Sequence, residues 1–174
     1  MLVPPEVTKV TKTRFKQQFY DIIVELSADE EFMVMIEGIE IMTEYLTCIK
    51  KDLVQNDYVS QIDKIIKKGM DPLTPDEVRI RIAKLSGKIL DRFSHFMLAS
   101  QYQEMFLNYL KTCINDKLLD IRLGLIFNLP CFYFNYKSSD QGVSEMFEQM
   151  YFDLSRDENV EVRALTASGI HEAI

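Results

Sequence analysis

Arg122 is the side chain in this sequence whose chemistry most needs an explanation. It stands between Ile121 and Leu123 in DKLLDIRLGLIFNLPCFYF, residues 116 to 134, with Asp116 and Asp120 before it and a nearly unbroken apolar run after it. An unpaired guanidinium buried among such neighbours is strongly disfavoured, so a partner for it must exist elsewhere in the fold. A buried, hydrogen-bonded ion pair fixes register more than it adds stability, which favours a structural role for Arg122 over catalysis or anion binding. The other reactive side chains are scattered. His95 and His171 are far apart, and neither has a cysteine or a second histidine at ligand spacing, so no metal site is expected. His171 with Glu172 would be half of an acid–base pair, but with no further partner in view a solvated or locally bonded histidine is the expected reading. Cys48, Cys113 and Cys131 are odd in number and lie in apolar helical patterns, which points to buried free thiols rather than disulfides or zinc ligands. No GxxxxGK, GxSxG or GxGxxG occurs, and the six glycines do not cluster into a phosphate-cradling loop. The expectation is a chain that is not an enzyme and carries no cofactor.

The elements that position Arg122 are helical throughout. Phe15, Phe19, Ile22, Ile23 and Leu26 recur at helical spacing, as do Ile36, Ile39, Met42, Leu46 and Ile49, then Val59, Ile62, Ile65 and Ile66, then Val78, Ile82, Leu85, Ile89 and Phe93. Four further stripes follow, through Tyr102 to Cys113, Ile121 to Leu129, Met146 to Leu154 and Val162 to Ile170. Eight amphipathic helices result, separated by turn-forming segments at Asp29, GMDPLTPDE (69 to 77), KSSDQG (137 to 142) and DEN (157 to 159). Pro130 falls inside the sixth pattern and is expected to kink or end that helix. The eleven phenylalanines and nine methionines at helical spacing read chiefly as core.

The chain also resembles itself. DKLLDIR (116 to 122) aligns with DENVEVR (157 to 163), PDEVR places Val78 and Arg79 in the same position, and DEEFMVM places Asp29, Val34 and Met35 there. The apolar residue before the arginine position is 34, 78, 121 and 162, giving intervals of 44, 43 and 41 residues. That lies within the ~40–47 residue period of HEAT and armadillo units, two helices each. In the second copy the loop is longer, so Asp71 and Asp76 both compete for the aspartate position and Arg79 and Arg81 for the arginine. Gly38, Gly87, Gly124 and Gly169 all fall in second helices, where each costs about 1 kcal/mol against alanine. Close packing between successive units would offset that cost. The expected fold is all-α, an α-solenoid of four antiparallel helical hairpins at about 15–50, 53–98, 100–136 and 143–174, after an irregular segment 1–14.

Composition restricts the partners. A net charge of -7 and a pI near 4.9 argue against nucleic acid and anionic membrane surfaces. Asp120 and Arg122 interrupt the best apolar run, so no membrane insertion is expected, and MLVPPEV lacks the pattern of a signal peptide. A cytoplasmic protein is expected. Arg81, Lys84 and Lys88 form a basic stripe on the fourth helix, which reads either as a plain solvated face or as a contact for a protein partner.

The whole chain resembles a HEAT-repeat, armadillo-like helical array. In that family the aspartate closes the turn, the arginine opens the second helix, and stacking lines these charges up as a ladder. The resemblance therefore implies a ladder of Asp116, Arg122, Asp157 and Arg163. The C-terminal third, NLPCFYFNYKSSD followed by FDLSRDENVEVRALTASGIHEAI, resembles the HEAT-repeat regulatory subunits of type 2A-like protein phosphatases, of the phosphatase 4 kind. The likeness is carried by Asn128, Leu129, Pro130 and Cys131, by Asp157 through Arg163, and by His171, Glu172 and Ala173. Met35 in place of an arginine, the enlarged second loop and the short chain depart from that pattern. The resemblance implies a non-catalytic scaffold presenting its second helices to a serine/threonine phosphatase catalytic subunit. The alternative is a structural component of a large cytoskeletal or ciliary assembly without a phosphatase.

A repeat array needs polar outer faces on its terminal units. The last helix, VEVRALTASGIHEAI, lacks a glycine stop or closing basic residue, so a further repeat or another chain is expected to cover Leu165 and Ile170.

Overall fold

The computed structural model describes residues 5–48, 56–97, 100–136 and 141–173, with side chains placed within 16–48, 60–89, 104–134 and 142–170 except Thr47. Eight helices account for them: α1 (Pro5–Leu26), α2 (Phe32–Cys48), α3 (Asn56–Met70), α4 (Asp76–Met97), α5 (Ser100–Ile114), α6 (Leu119–Tyr136), α7 (Gln141–Leu154) and α8 (Val160–Ala173). No strand occurs among the described residues, so the fold is all-α. The segment read as irregular, 1–14, is helical from Pro5 onward, where proline's fixed φ suits a first turn.

Each helix packs on the next within a pair: α1 on α2, α3 on α4, α5 on α6 and α7 on α8. The even-numbered helices also form a row, α2 against α4, α4 against α6 and α6 against α8, and α3, α5 and α7 form a second row. The core lies between the two rows. Ile39, Met42, Ile62, Ile66, Ile82, Phe106, Leu125, Leu129, Phe132, Phe147 and Val162 are buried there, with Phe106 meeting Phe132 edge-on at 5.4 Å. The stripe expected on α1 is only partly right. Of its members Ile23 is buried and Leu26 half-buried, Phe19 and Ile22 face solvent, and Phe15 lies outside the described side chains; Tyr20, outside the stripe, is buried.

Glycines set how closely the helices approach. A Cβ on Gly38 would stand 2.4 Å from the backbone of Leu26, so α2 crosses the end of its own hairpin partner too closely for any side chain. Between units, Gly87 lies under Asn128, whose amide donates to the carbonyls of Ala83 at 3.2 Å, Lys84 at 3.4 Å and Gly124 at 2.8 Å. That one side chain ties α6 to α4. At Gly169 the nearest atom is Pro130 Cγ at 3.4 Å, an ordinary contact that requires no glycine. Pro130 does not end α6, which continues to Tyr136.

Candidate functional site

The turns inside each hairpin share one local device, an aspartate whose Oδ1 accepts the N–H two residues on. The pairs are Asp29 with Glu31 at 2.8 Å, Asp71 with Leu73 at 2.9 Å, Asp116 with Leu118 at 2.9 Å and Asp157 with Asn159 at 2.8 Å. This settles the register of the second unit, where Asp71 holds the turn. Arg79 rather than Arg81 occupies the arginine position. Its Nη2 donates to Asp116 Oδ2 of the following unit, and Arg81 instead pairs with Glu40.

Arg122 is 7% exposed, and both of its terminal nitrogens donate to protein oxygens. Its Nη1 donates to the carbonyls of Asp116 at 2.8 Å and Lys117 at 3.3 Å, closing its own turn, and its Nη2 donates to Asp157 Oδ1 at 3.2 Å in the next. Nε lies 2.8 Å from Asp157 Oδ2, within ion-pair distance although the N–H is not aligned with the oxygen. The carboxylate of Asp116 therefore serves the preceding unit and that of Asp157 serves Arg122. Arg163 repeats the bracket, donating to the carbonyls of Asp157 at 2.7 Å and Glu158 at 2.9 Å, but it is exposed and no carboxylate reaches it among the described residues. In the first unit the arginine position is held by Met35, whose sulfur lies 3.4 Å from Lys68 Nζ.

An open cleft of about 460 Å³ lies beside these charges, between Asn115, Asp116, Lys117, Arg122, Asp157 and Glu158. It is poorly suited to holding an anion. Arg122 directs its donors at protein oxygens, and Glu158 Oε1 stands 3.9 Å from it at the rim. Among the described residues no group of three His, Cys, Asp or Glu side chains converges on one point, and His95 and His171 lie outside the described side chains. No helix among the described residues is long and apolar enough to cross a membrane.

The basic stripe is not the free patch that its sequence suggests. Arg81 Nη2 lies 3.4 Å from Glu40 Oε2, and Lys88 Nζ donates to Glu44 Oε1 at 2.6 Å. That hydrogen bond, and then the charge of Glu44, raise the Lys88 pKa above the usual lysine value. Two of the three cations thus join α4 to α2, and only Lys84 keeps an exposed ammonium with no ion pair among the described residues.

The exposed face of the even row changes character at α6. Phe127 is 79% exposed and Phe134, two turns further along the same face, is 55% exposed; half-buried Cys131 lies between them. On α8, which packs against α6, Leu165 is also exposed. These aromatics were expected in the core. Their exposure follows from spacing: Ile121, Leu125, Leu129 and Phe132 already fill the inward side of α6, and positions seven apart from Asp120 onward face away from it. The thiols also differ from expectation, since Cys113 is buried but Cys48 is exposed. One sequence signal for the first unit was missed: LSADE at 26 to 30 matches LSRDE at 154 to 158 at the end of each unit's first helix. Compared with family models, with curated proteins and with solved structures, the chain matches none.

Proposed function

We propose that this chain is a non-catalytic scaffold, an α-solenoid of four HEAT-type hairpins, that binds a partner protein along the exposed face of its even-numbered helices. The observation that carries this reading is Phe127. A phenylalanine is left 79% exposed mid-helix, with exposed Phe134 on the same helix, exposed Leu165 on α8 and Lys84, which has no ion pair among the described residues, on α4, both helices packing against α6. Exposed apolar patches mark protein contacts, and aromatic anchors dominate their energetics. The pairing of even-numbered helices in order, with arginine-to-aspartate links between units, supports the array.

The partner proposed from the resemblance of the C-terminal third is a type 2A-like phosphatase catalytic subunit, held in the cytoplasm. A photo-reactive phenylalanine at position 127, with the same group at exposed Glu145 on α7 as control, tests both parts. Capture of one protein in stoichiometric yield from position 127 alone supports the scaffold, and its identity as a phosphatase catalytic subunit supports the partner. Equal capture from both positions would overturn the face. Capture of a large cytoskeletal or ciliary assembly without phosphatase would overturn the partner and leave the scaffold standing.

A further inference from the structure

Consecutive units meet at three junctions, all of them internal to the array, and two are made alike. Arg79 of the second unit closes on Asp116 of the third, and Arg122 of the third closes on Asp157 of the fourth, with all four side chains 8–10% exposed. The odd helices add a second contact at each, α3 on α5 and α5 on α7. Asn128 also clasps two carbonyls of α4 from α6.

The junction between the first and second units is built differently. Met35 holds the arginine position, and exposed Asp71, whose Oδ1 accepts the Leu73 N–H, receives no arginine among the described residues. α1 stands outside the odd row: an open cleft of about 360 Å³ lies between it and α3, with Gln17, Asp21 and Glu25 on one wall and Ser60 and Gln61 on the other. What joins the two units is the packing of α2 on α4 and two ion pairs beside it, Glu40 with Arg81 at 3.4 Å and Glu44 with Lys88 at 2.6 Å. Those four side chains are 36–59% exposed. The first hairpin itself is firmly closed. Gly38 of α2 crosses Leu26 too closely for any side chain, and Tyr45 of α2 meets Phe19 and Tyr20 of α1 at 6.0 and 5.8 Å.

These junctions resist motion unequally. Parting a buried arginine from its aspartate strands two charges away from water, whereas exposed pairs exchange with solvent, contribute little and are screened by salt. Helix packing without such directional bonds resists separation but allows small sliding and rotation.

We infer that the α2–α4 seam is a hinge: the α1–α2 hairpin swings as one body against a block formed by α3 to α8, opening and closing the α1–α3 cleft, with the Glu40–Arg81 and Glu44–Lys88 pairs as a salt-sensitive latch. Opening frees Arg81 and Lys88 to join Lys84, so the hinge sets how much positive charge α4 displays. The inference rests on the junctions and not on the partner-binding reading of the α6 face.

Paired spin labels in the whole chain test this by double electron–electron resonance, with exposed Cys48 and half-buried Cys131 first replaced by serine. Labels at Gln17→Cys and Ser60→Cys span the cleft; labels at Thr112→Cys on α5 and Gln149→Cys on α7, both exposed, report on the block. The distance distribution across the cleft is expected to be the broader of the two. It should shift as salt rises from about 0.01 M to about 1 M, which shortens the Debye length from about 30 Å to about 3 Å, while the block pair stays fixed. Arg81→Gln with Lys88→Gln removes the latch, so at low salt its cleft distribution should match the wild type's at high salt. Met35→Arg, made with Lys68→Gln so that no ammonium competes, supplies the missing arginine in the register of Asp71 and should narrow the cleft distribution to the width of the block control. A cleft distribution as narrow as the control and unmoved by salt, a latch variant indistinguishable from wild type at low salt, or a Met35→Arg chain as broad as Lys68→Gln alone would each overturn the hinge. No partner is present in these measurements, so their failure leaves the proposed scaffold function untouched.

Discussion

Arg122 and Arg163 make the same two carbonyl bonds from the same repeat position, yet one is buried and bridged to the next unit while the other is exposed. Replacing each with alanine separates the bridge from the bracket. In Arg122→Ala, Asp157 retains only the Asn159 N–H, in a site where the Arg122 and Asp157 side chains are 9% and 10% exposed, and the carbonyls of Asp116 and Lys117 lose their donor. Breaking a buried pair by removing one partner costs about 3–5 kcal/mol. For a chain of this size that lowers the thermal midpoint by about 6–20 °C, at 2–4 °C per kcal/mol. In Arg163→Ala the freed carbonyls are open to water and no carboxylate is orphaned, so the loss should stay below about 1 kcal/mol. Urea titrations at low micromolar concentration measure both, with a constant m-value as the check on two-state behaviour. A double-mutant cycle with Asp157→Asn should give a coupling of about 1–3 kcal/mol for Arg122 and none for Arg163. Equal losses in the two alanine variants, or no coupling between positions 122 and 157, would refute the assignment of the bridge.

Gly38→Ala forces a Cβ to 2.4 Å from the backbone of Leu26 and should destabilise by about 1–3 kcal/mol or more, whereas Gly169→Ala meets only ordinary contacts and should stabilise by about 0.4–1 kcal/mol; denaturant midpoints read both. Burial pushes the Cys113 thiol from its ordinary 9.0 up to about 12, so an alkylating reagent at mild alkaline pH should modify exposed Cys48 first, Cys131 more slowly and Cys113 only on unfolding, as followed by intact mass. Because the unfolded thiol releases its proton above pH 9.0 while the folded one retains it up to about 12, stability falls as pH rises through that window, by at most about 1.4 kcal/mol per pH unit. Tyr109, raised well above 10.0 chiefly by burial, adds a fall of the same sign from pH 10 upward. A thermal midpoint that did not decline between pH 9 and 12, or that declined identically in Cys113→Ala, would contradict this.

The helices and their pairing were legible because inward positions are set by period alone. Ile39, Ile62, Ile82, Leu125 and Phe147 each sit in an apolar stripe, and every one of them is buried. The arginine and aspartate positions were legible for a related reason: a charge placed inside an apolar run has few permitted environments, and repetition at near-constant intervals showed that the environment recurs. The sequence left open whether Arg79 or Arg81 belonged to the link. Both lie near the start of α4, and the choice depends on which faces the turn of the next unit, a tertiary fact. At Pro130 the structure excludes one of the two expected outcomes: the helix does not end there but runs on to Tyr136.

The surface was less legible because periodicity reports which residues share a face, not what lies opposite. Arg81, Lys84 and Lys88 look like a free cationic stripe until α2 brings Glu40 and Glu44 alongside, leaving Lys84 as the exposed charge without an ion pair among the described residues. Phe127 errs in the reverse direction. Its residue type predicts burial and it lies inside an apolar run, between Ile126 and Asn128, yet it is exposed where Phe132, five residues on, is fully buried. The difference is one of saturation. A helix of α6's width presents about three of every seven positions to a core, and the run from Ile121 to Phe134 supplies more apolar residues than that. The surplus must face outward. An apolar run that exceeds the inward capacity of its helix therefore indicates, from residue types and spacing alone, that some of its large residues are held at a surface. It identifies α6 as the helix on which a contact face would be sought, although not which residue leads it.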